Sequence, residues 1–455
     1  MIDSGLLDEV LESHLAAHLE RQRWSGASDG ITAVVPAWID IVHEEPFLAW
    51  MVVDATLTSG LETRYQLFIG ARPAYPWPEF LEGKERELLA VVPDGDGGEA
   101  VFYDALVDPD LAIAVLHLVV PDIEVEVRRP IVLEHSNSSV VFDEAHILKV
   151  LRKVEAGPNP DVEIPRVLAE RGFEHVLPPR AELRRDDMDL AVLRDFLVGA
   201  TEGWPLARAS VRDVLASRLP PEESGGDLAP ESARLGSTLA KLHLAMADAW
   251  GSEPGDPAKW VDQMLAGLEE IAGHGLAAVL DVEAVRDHLE QARRLRDAGA
   301  EIRVHGDLHL AQVIQVDAGW VVLDFEGEPA RRRDDRFTRS SPLRDVAGML
   351  RSFHYAAATG LAEWDQGDAE LLELLDAWEE RNRQAFLTSY YEEEGIDAIL
   401  PVEPAGRAML VAAFELDKAV YELAYELSHR PDLVSIPLAG IDRLVSGAVR
   451  GPVPT

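Results

Sequence analysis

The order of hydrophobic patterns along the chain is the feature that most restricts its fold. Short β-branched and aromatic runs, separated by turn residues, occupy much of the first half, and long segments with apolar residues at helical spacing occupy the second. At ~100–200 residues per domain, the 455 residues suit two to three domains or lobes. A strand-rich first half and a helical second half predict an α+β protein with two lobes.

Turn-rich segments indicate where the parts of the chain begin and end. A helix is predicted over residues 1–22, followed by strands in the runs ITAVVPAWIDIV, PFLAWMVVDATL and TRYQLFIGA. The run PDGDGGEA, residues 93–100, is a predicted linker or hairpin turn. We therefore predict a small α+β part at 1–95, a mixed intermediate part at 96–198 and a helical lobe at 199–455.

Composition excludes several kinds of partner and chemistry. The chain has 82 acidic and 42 basic residues, a formal net charge of -40, and such a surface repels nucleic acid and anionic lipid. The absence of cysteine excludes disulfides, thiolate zinc sites and a cysteine nucleophile, and it favours a cytoplasmic protein. No apolar stretch approaches the ~18 residues of a membrane-spanning helix, and the N-terminus does not resemble a signal peptide. We predict a cytoplasmic protein that binds neither nucleic acid nor membrane.

The segment RVHGDLHLAQVIQVDAGWVVLDFEGEP, from Arg303 to Pro329, has the parts that phosphoryl transfer needs. Asp307 lies in a short polar loop, Gln312 follows five residues later, and the apolar strand WVVLDF brings Asp324 17 residues after Asp307. One carboxylate orients the acceptor hydroxyl and accepts its proton, whereas a second carboxylate and a neutral oxygen hold Mg²⁺ against the phosphates. We predict Asp307 for the first role and Gln312 with Asp324 for the second.

Three further side chains of this segment support the predicted site. Glu326 is near enough in sequence to reach the metal or a water molecule, and His305 and His309 are expected to brace the loop through hydrogen bonds. An isolated loop aspartate usually caps a helix or a turn. The combination of Asp307, Gln312 and an Asp-Phe-Glu sequence at the end of an apolar strand is much more specific, and it favours a functional site.

A second candidate region is HSNSSVVFDEAHILKV, residues 135–150, in which a Ser/Asn turn joins two strand-like segments and Lys149 closes the second. Kinase-like folds cover the triphosphate with such a hairpin, and the strand lysine contacts the phosphates while a helix glutamate, here Glu163, pairs with it. The region lacks a Gly-x-Gly-x-x-Gly pattern, so serine and asparagine side chains or backbone amides must contact phosphate. A hinge near Asp195–Leu197 completes the predicted nucleotide site. The turn residues are Ser136, Asn137, Ser138 and Ser139.

The helical segment FELDKAVYELAYEL, residues 414–427, has a strongly polar face. At ~100° per residue, four charged side chains share that face and two tyrosines flank it. The face is either solvated, with an i,i+4 ion pair, or a polar and partly aromatic wall that hydrogen-bonds a sugar. Its charged residues are Glu415, Lys418, Glu422 and Glu426, and its tyrosines are Tyr421 and Tyr425.

Short motifs spread over nearly the whole chain carry a family resemblance. They are RQRW (21–24), TRYQLFIG (63–70), SNSSVVF (136–142), ILKV (147–150), NPDVE (159–163), HGDLHLAQV (305–313), LDFEGEP (323–329), SPLRDVAGMLRSF (341–353), WEERNRQAF (378–386), FELDKAVYE (414–422) and IPL (436–438). With these motifs the chain resembles actinobacterial maltokinases and the related glucosamine kinases, within the aminoglycoside-phosphotransferase, or eukaryotic-like, kinase superfamily. The resemblance implies an N-terminal cap, an intermediate part that completes the nucleotide site and a helical C-terminal lobe. It also implies an ATP- and Mg²⁺-dependent kinase with Asp307 as catalytic base and Gln312 and Asp324 as magnesium ligands.

The chain departs from the maltokinase pattern at places that bear on the acceptor sugar. Ala311 stands where maltokinases read glycine, Ser25-Gly26 follows RQRW in place of an aromatic or glycine pair, and HRPDLVSIPL lacks a tryptophan that maltokinases have there. The missing tryptophan removes a stacking platform of the kind that saccharides use. The carboxylates of the segment 414–427 favour a cationic amino sugar. We therefore expect glucosamine, phosphorylated at O6, with maltose, phosphorylated at O1, as the alternative.

Two other functions are compatible with the same residues. A metal-dependent hydrolase would use His305, Asp307, His309 and Asp324, although these residues lack the H-E-x-x-H spacing of a helix-borne zinc site and leave Lys149 without a role. A sugar- or nucleotide-binding module would bind ATP without turnover. The set of Lys149, Asp307 and Asp324 favours the kinase.

Overall fold

The structure, a computed structural model, divides the chain into two compact units. The first unit is Met1–Arg166 with Pro178–Val198, and the second is Val167–Leu177 with Gly199–Thr455. The boundary expected between residues 198 and 199 falls at the last division between these units. The described residues are 4–27, 30–126, 132–134, 137–273, 280–328, 339–364 and 369–446.

The first unit begins with a helix that packs on an antiparallel sheet. Helix α1 (Ser4–Arg21) has apolar residues at helical spacing, and its buried face, which includes Leu7, Leu11 and Leu15, packs on one side of the sheet. The predicted helix and the three predicted strands that follow it are therefore present. The strands are β1 (Ile31–Glu44), β2 (Phe47–Leu57), β3 (Glu62–Pro73), β4 (Leu88–Pro93) and β5 (Glu99–Asp104). Their spatial order is β1-β2-β3-β5-β4.

This sheet corrects one expected boundary. Strands β4 and β5 are antiparallel neighbours, and Pro93 pairs with Glu99 across the turn. The division expected between residues 95 and 96 therefore falls inside a hairpin of the first sheet. The Gly- and Asp-rich composition of PDGDGGEA suits a hairpin turn as well as a linker, and only the pairing of the strands distinguishes the two.

A second antiparallel sheet completes the first unit and carries Lys149. Its strands are β6 (Val132–Glu134), β7 (Ser138–Phe142), β8 (His146–Val150), β9 (Ala181–Arg185) and β10 (Met188–Asp195), in the order β6-β7-β8-β10-β9. Helix α2 (Pro109–Val119) follows the first sheet, and helix α3 (Pro160–Glu170) follows β8. Apolar side chains from both sheets and α2 form one buried cluster, for example Phe68, Leu111 and Phe142. The two sheets thus share a core.

Gln66 is a buried polar link between the two sheets. Its side-chain amide donates to the carbonyls of Leu151 at 3.0 Å and Leu190 at 2.8 Å, and its own carbonyl accepts from the indole of Trp50 at 2.9 Å. The backbone N–H of Gln66 also donates to the carbonyl of Arg152 at 2.8 Å. Because a buried amide without partners is costly, these bonds specify the register in which the segment directly after β8 meets β3.

Arg152 connects the first sheet with the start of β7. Its guanidinium forms a buried ion pair with Asp104 and donates from Nε to the hydroxyl of Ser138 at 2.8 Å. The backbone N–H of Arg152 donates to the side chain of Asn137 at 3.1 Å, and the guanidinium lies 5.0 Å from the ring centre of Trp24. Asn137 and the start of β7 are therefore held by an arginine that is itself anchored on the first sheet.

Replacing Asp104 with asparagine is expected to destabilise the first unit. Removing one charge of a buried ion pair leaves the other charge uncompensated, which costs about 3–5 kcal/mol in proteins. We expect urea denaturation to show a loss of this order in the free energy of unfolding. Asp54→Asn is the matched control, because the pair of Asp54 with Arg64 is half exposed and is expected to contribute at most about 1 kcal/mol. Equal losses for the two variants would contradict the role of the Arg152–Asp104 pair.

The second unit is mostly helical, as the sequence predicts. Its helices are α4 (Gly203–Ser217), α5 (Ala229–Trp250), α6 (Pro257–Gly273), α7 (Val282–Ala292), α8 (Leu343–Glu363), α9 (Ala369–Tyr391), α10 (Pro404–His429) and α11 (Ser435–Val445). Helix α8 is buried along most of its length and packs against α4, α9, α10 and α11. Within the described ranges, no helix combines the length and the apolar character needed to cross a membrane.

Two small antiparallel sheets accompany these helices. One pairs β11 (Thr201–Glu202), β14 (Val313–Val316) and β15 (Gly319–Val322), and the other pairs β12 (Glu253–Pro254) with β13 (Ala300–Glu301). The polar loop with Asp307 lies between β13 and β14 along the chain. The β14–β15 hairpin then leads to Asp324, so the strand predicted in WVVLDF is β15.

Candidate functional site

The carboxylate of Asp345, on the first turn of α8, organises the loop that carries Asp307. It accepts the backbone N–H groups of His305 and Gly306, each at 2.8 Å. A ring nitrogen of His243 lies 3.1 Å from the same carboxylate, and the other ring nitrogen lies 2.8 Å from the hydroxyl of Tyr390. Asp345 and His243 are fully buried. The start of the loop is therefore fixed by charge-assisted hydrogen bonds in the protein interior.

The surroundings of Asp345 keep its carboxyl group ionised. Burial by itself raises the pKa of Asp345, but the hydrogen bond and positive charge of His243, together with the Gly306 N–H, lower it below the usual value. An ionised carboxylate is the stronger acceptor for the two loop N–H groups.

The two loop histidines make the bracing hydrogen bonds expected of them. Nε2 of His305 lies 2.8 Å from the carbonyl of Leu323, and Nδ1 accepts the backbone N–H of Asp307 at 3.3 Å. A neutral ring protonated at Nε2 satisfies both bonds, so neither nitrogen of His305 is available to a metal. This geometry disfavours the hydrolase alternative, which needs His305 as a ligand. Nδ1 of His309 accepts the N–H of Ala311 at 3.2 Å, and burial lowers the pKa of His309.

Asp307 forms an ion pair with Lys418 from helix α10. The Lys418 ammonium donates to Asp307 at 2.8 Å and to Glu328 at 2.6 Å, and it lies 4.8 Å from the ring centre of Tyr421. Arg344 donates to the second oxygen of Glu328 at 3.1 Å. Burial by itself lowers the pKa of Lys418, but the charges of Asp307 and Glu328 outweigh burial and raise it. Lys418 is therefore a charged group that orients the Asp307 carboxylate.

A small pocket lies beside Asp307. Carboxylates and cationic side chains line it together with the backbone of the loop: Gly306, Asp307, Leu308, Glu328, Arg344, Asp345, Gly348, Phe414, Asp417 and Lys418. Sequence reasoning missed Glu328, Arg344 and Asp417 as site residues. Each of the three lies in a motif that carries the family resemblance, and membership in those motifs is the sequence feature that could have indicated them.

The side chains predicted to hold a metal come together at the β14–β15 hairpin. Gln312 directly precedes β14, and its amide nitrogen donates to Asp324 at 3.2 Å. Carboxylate oxygens of Asp324 and Glu326 lie within 4.8 Å of each other. These groups are oxygen donors of the kind that Mg²⁺ prefers, and the carbonyl oxygen of Gln312 is the donor that its amide would offer. The residues fit a hard divalent cation.

Asp324 has a strained backbone. Its φ of 59° lies in the left-handed region, which costs a residue other than glycine about 1–3 kcal/mol. Leu323 alone separates Asp324 from the end of β15. The N–H of Leu323 donates to the carbonyl of Gln312 at 2.9 Å. The hairpin therefore holds Asp324 in a conformation that its own backbone disfavours, as is common where a side chain must point in one direction.

In the first unit, Lys149 projects from β8 and pairs with a carboxylate on α3. Its ammonium donates to Asp161 at 2.8 Å, and Arg194 contacts the same carboxylate at 3.2 Å. Sequence reasoning assigned the helix partner to Glu163 and missed Asp161, which lies two residues earlier in the same NPDVE motif. Participation of Glu163 stays a prediction.

The predicted phosphate-binding turn is only partly described, because Ser136 lies outside the described residues. Asn137 and Ser138 are buried, and both side chains bond to Arg152. Both side chains therefore support β7 through Arg152, and Ser139 pairs with Lys149 across the β7–β8 ladder. Contact of Asn137, Ser138 or Ser139 with phosphate stays a prediction.

The predicted hinge residues follow directly from the second sheet. Asp195 ends β10, and its carboxylate pairs with Arg180 at 2.5 and 2.9 Å on the surface. Leu197 lies two residues later and is partly buried. A role of either residue in nucleotide binding stays a prediction.

In the structure, two carboxylates that are predicted to contact the acceptor have arginine partners. Glu415 is buried and accepts two hydrogen bonds from Arg383, at 2.7 and 2.9 Å. Glu422 accepts from Arg351 on α8 at 2.6 and 3.1 Å. These carboxylates are therefore neutralised inside the helical core. Helical periodicity indicates which residues share a face, but it does not reveal which helix covers that face.

Glu426 and the two tyrosines complete this helix face. Glu426 is buried and bonds with Arg430 at 2.5 Å and with the hydroxyl of Tyr355 at 3.1 Å. Tyr425 is half exposed and stacks on His429, whereas Tyr421 lies beside Lys418. Of the six predicted acceptor residues, Lys418 therefore lines the pocket, and Asp417 beside it was not predicted.

Comparison with known proteins supports the resemblance that the motifs carry. Residues 18–108 match the family described as the maltokinase N-terminal cap domain. The chain is 26% identical over 334 residues to a glucosamine kinase of Mycolicibacterium smegmatis, covering 70% of this chain and 79% of the relative. It is 28% identical over 329 residues to a glucosamine kinase of Streptacidiphilus jiangxiensis, covering 68% of this chain and 72% of the relative.

A solved structure shows the same fold. The structure of a glucosamine kinase in complex with glucosamine, ADP and inorganic phosphate superposes with a TM-score of 0.64 at 22% identity, covering 96% of this chain and 98% of the other. The predicted α+β kinase fold with an N-terminal cap and the predicted family resemblance are therefore confirmed. The cap match extends past residue 95, in agreement with the position of β5.

Substitutions at the β14–β15 hairpin are expected to separate the two predicted metal ligands. Asp324→Ala should abolish magnesium-dependent activity, because the carboxylate supplies charge to the cation. Gln312→Ala should weaken activity less, because an amide supplies only a dipole. The measurement is phosphate transfer as a function of Mg²⁺ concentration. A larger loss for Gln312→Ala than for Asp324→Ala would reverse this ranking of the ligands.

Proposed function

We propose that this protein is an ATP- and Mg²⁺-dependent kinase that phosphorylates glucosamine on its 6-hydroxyl group. The observation that carries the proposal is the position of the Asp307 carboxylate beside a pocket. Asp345 fixes the loop that carries Asp307, and Lys418 orients the carboxylate. The similarity to two glucosamine kinases along about two thirds of the chain supports the assignment of the substrate.

Asp307 is the proposed catalytic base. The acceptor hydroxyl binds with its hydrogen directed at the Asp307 carboxylate, which orients the oxygen for attack on the γ-phosphorus. As the new O–P bond forms, the bond between the γ-phosphorus and the β–γ bridging oxygen breaks, and the hydroxyl proton passes to Asp307. The products are the sugar phosphate and ADP. Lys418 holds the carboxylate in position throughout, because it also bonds to the buried Glu328.

Asp324 and Gln312 are the proposed ligands of Mg²⁺, with Glu326 close to them. When bound, the cation neutralises the phosphate oxygens and lowers the cost of the charge that develops on the leaving group. The left-handed backbone of Asp324 and its bond with Gln312 prepare these oxygen donors before the ion arrives.

Nucleotide binding is proposed for the first unit. Lys149 would contact the phosphates while Asp161, whose carboxylate also pairs with Arg194, holds the lysine side chain on the sheet. The buried carboxylate of Asp161 restricts the rotamers of Lys149, which lowers the entropy lost when the ammonium meets an anion. Backbone amides of the β7 turn would supply the remaining phosphate contacts.

The pocket favours a cationic acceptor for a different reason from the one expected at first. The carboxylates of helix α10 that face α8 and α9 are neutralised by arginines and do not line the pocket. Asp417 and Glu328 do line it, Glu328 in contact with Lys418 and Arg344. Four carboxylates and two cationic side chains line it in total, so its formal charge is negative. We propose that Asp417 accepts a hydrogen bond from the ammonium group of glucosamine.

Asp307→Asn is expected to abolish turnover and to leave nucleotide binding intact. The amide keeps the shape of the side chain but does not accept the hydroxyl proton, so the rate should fall at least ~100-fold. ADP release and the Kd of ATP are the two measurements. Asp317→Asn, at an exposed turn, is the control and should behave as the wild type. Turnover by Asp307→Asn within threefold of the wild type would remove Asp307 from the mechanism.

A panel of acceptors tests the proposed substrate. Glucosamine should be phosphorylated in preference to glucose, N-acetylglucosamine and maltose, because a charged hydrogen bond contributes about 1.5–3 kcal/mol against about 1 kcal/mol for a neutral one. At 1.4 kcal/mol per tenfold, this difference predicts at least a several-fold preference in kcat/KM.

Asp417→Asn should lower the preference for glucosamine over glucose and leave the KM of ATP unchanged. The control is Asp432→Asn, at an exposed position beyond the same helix. The maltokinase cap match favours maltose as the second candidate acceptor. Efficient phosphorylation of maltose with none of glucosamine would replace the proposed substrate with maltose.

A further inference from the structure

One face of helix α8 follows the backbone of the Asp307 loop residue by residue. Asp345, Gly348 and Ser352 are three and four positions apart, so they lie on the same side of the helix. Asp345 bonds to the start of the loop, as described above. The hydroxyl of Ser352, two turns further on, accepts the backbone N–H of Leu310 at 3.0 Å.

Gly348 lies between these two contacts and allows the loop to touch the helix. A Cβ atom at Gly348 would lie 2.5 Å from the carbonyl oxygen of Leu308, the residue that directly follows Asp307. Side chains do not reach such a distance from a backbone atom, so the loop would have to move. Glycine inside a helix costs about 1 kcal/mol relative to alanine. This buried helical glycine therefore lowers helix propensity and permits a closer approach of the loop.

A second helix contacts the same loop in the same way. A Cβ atom at Gly203, the first residue of α4, would lie 2.6 Å from the carbonyl oxygen of Leu310. Leu310 is thus held at its N–H by Ser352 and at its carbonyl by the close approach of Gly203. Both helices therefore lie too close to the loop backbone to accept a side chain at these two glycines.

We propose that Gly348 and Ser352 are positioning residues that set the place of the Asp307 carboxylate through the loop backbone. The inference rests on the proposed function for the role of Asp307, and within the motif SPLRDVAGMLRSF it extends the support of the loop from Asp345 to Gly348 and Ser352. Gly348 lines the pocket without a side chain, and Ser352 is not among the residues that line it. Their effect is geometric, because a shift of about 1 Å in a reacting group costs up to ~100-fold in rate.

The test compares two glycine-to-alanine variants of the same helix. In Gly348→Ala the new methyl group displaces the loop, and we expect kcat with glucosamine to fall at least ~10-fold while the Kd of ATP is unchanged. Gly360→Ala is the matched control, because its Cβ would meet the side chain of Val211 at 2.3 Å, away from the loop. We expect Gly360→Ala to lower Tm and to keep kcat within twofold of the wild type.

Ser352 supplies a second pair of variants if Gly348→Ala fails to fold. Ser352→Ala removes the acceptor for the Leu310 N–H and should lower kcat, whereas Ser352→Thr keeps the hydroxyl and should restore most of it. Hydrogen exchange of the loop amides at residues 305–310 should be faster in Ser352→Ala and Gly348→Ala than in Gly360→Ala. This measurement needs no turnover, so it tests the positioning role even if no acceptor is phosphorylated.

The outcomes separate the inference from the proposed function. Wild-type kcat and wild-type loop exchange in Gly348→Ala would overturn the inference and leave the kinase assignment untouched. The inference would also be overturned if kcat fell in proportion to the loss of Tm in both Gly348→Ala and Gly360→Ala, because that result would indicate general destabilisation. A wild-type protein that binds ATP and phosphorylates no acceptor would overturn the proposed function, and the exchange data would then decide the positioning role alone.

Discussion

The buried carboxylate of Asp345 is the interaction on which the candidate site depends. It accepts two successive backbone N–H groups of the loop and is itself supported by His243, so three donors converge on one charge. Loss of the Asp345 carboxylate would leave the two loop N–H groups buried without an acceptor, at a cost of about 1–3 kcal/mol each. Because Asp345 belongs to a helix that is buried along most of its length, the loop inherits the rigidity of the helical core.

Charge in this strongly acidic protein is balanced locally where it matters. The chain has a formal net charge of -40, yet Lys149, Arg152 and Lys418 are largely buried and each meets a carboxylate. Such pairs are expensive to desolvate, and breaking one costs more than the pair contributes. Their value is geometric: each fixes the direction of a side chain. The net negative charge of the protein repels anions at long range, and oriented cations such as Lys149 oppose that repulsion locally.

The two units use the same physical device for different purposes. In the first unit, Gln66 and Arg152 connect the two sheets, and Arg152 also holds the start of β7. In the second, Asp345 and Lys418 connect helices with the loop that carries Asp307. Each link is a buried polar group whose partners come from distant parts of the chain. Apolar packing alone tolerates small shifts between elements, whereas such groups are satisfied at one register only.

Periodicity in the sequence determined the helices, the main strands and the α+β organisation, and local chemistry singled out Asp307, Gln312 and Asp324 as the proposed reactive group. Both follow from residues close together in the chain. Tertiary structure alone decided the fate of the acidic face of α10. Glu422 meets Arg351, 71 residues away, and Lys418 meets Asp307, 111 residues away. The hydrophobic periodicity of a helix indicates which side chains share a face, but it does not indicate which element packs against that face. Whether a carboxylate binds a ligand or neutralises a buried arginine therefore depends on packing, which brings together segments that no local pattern relates.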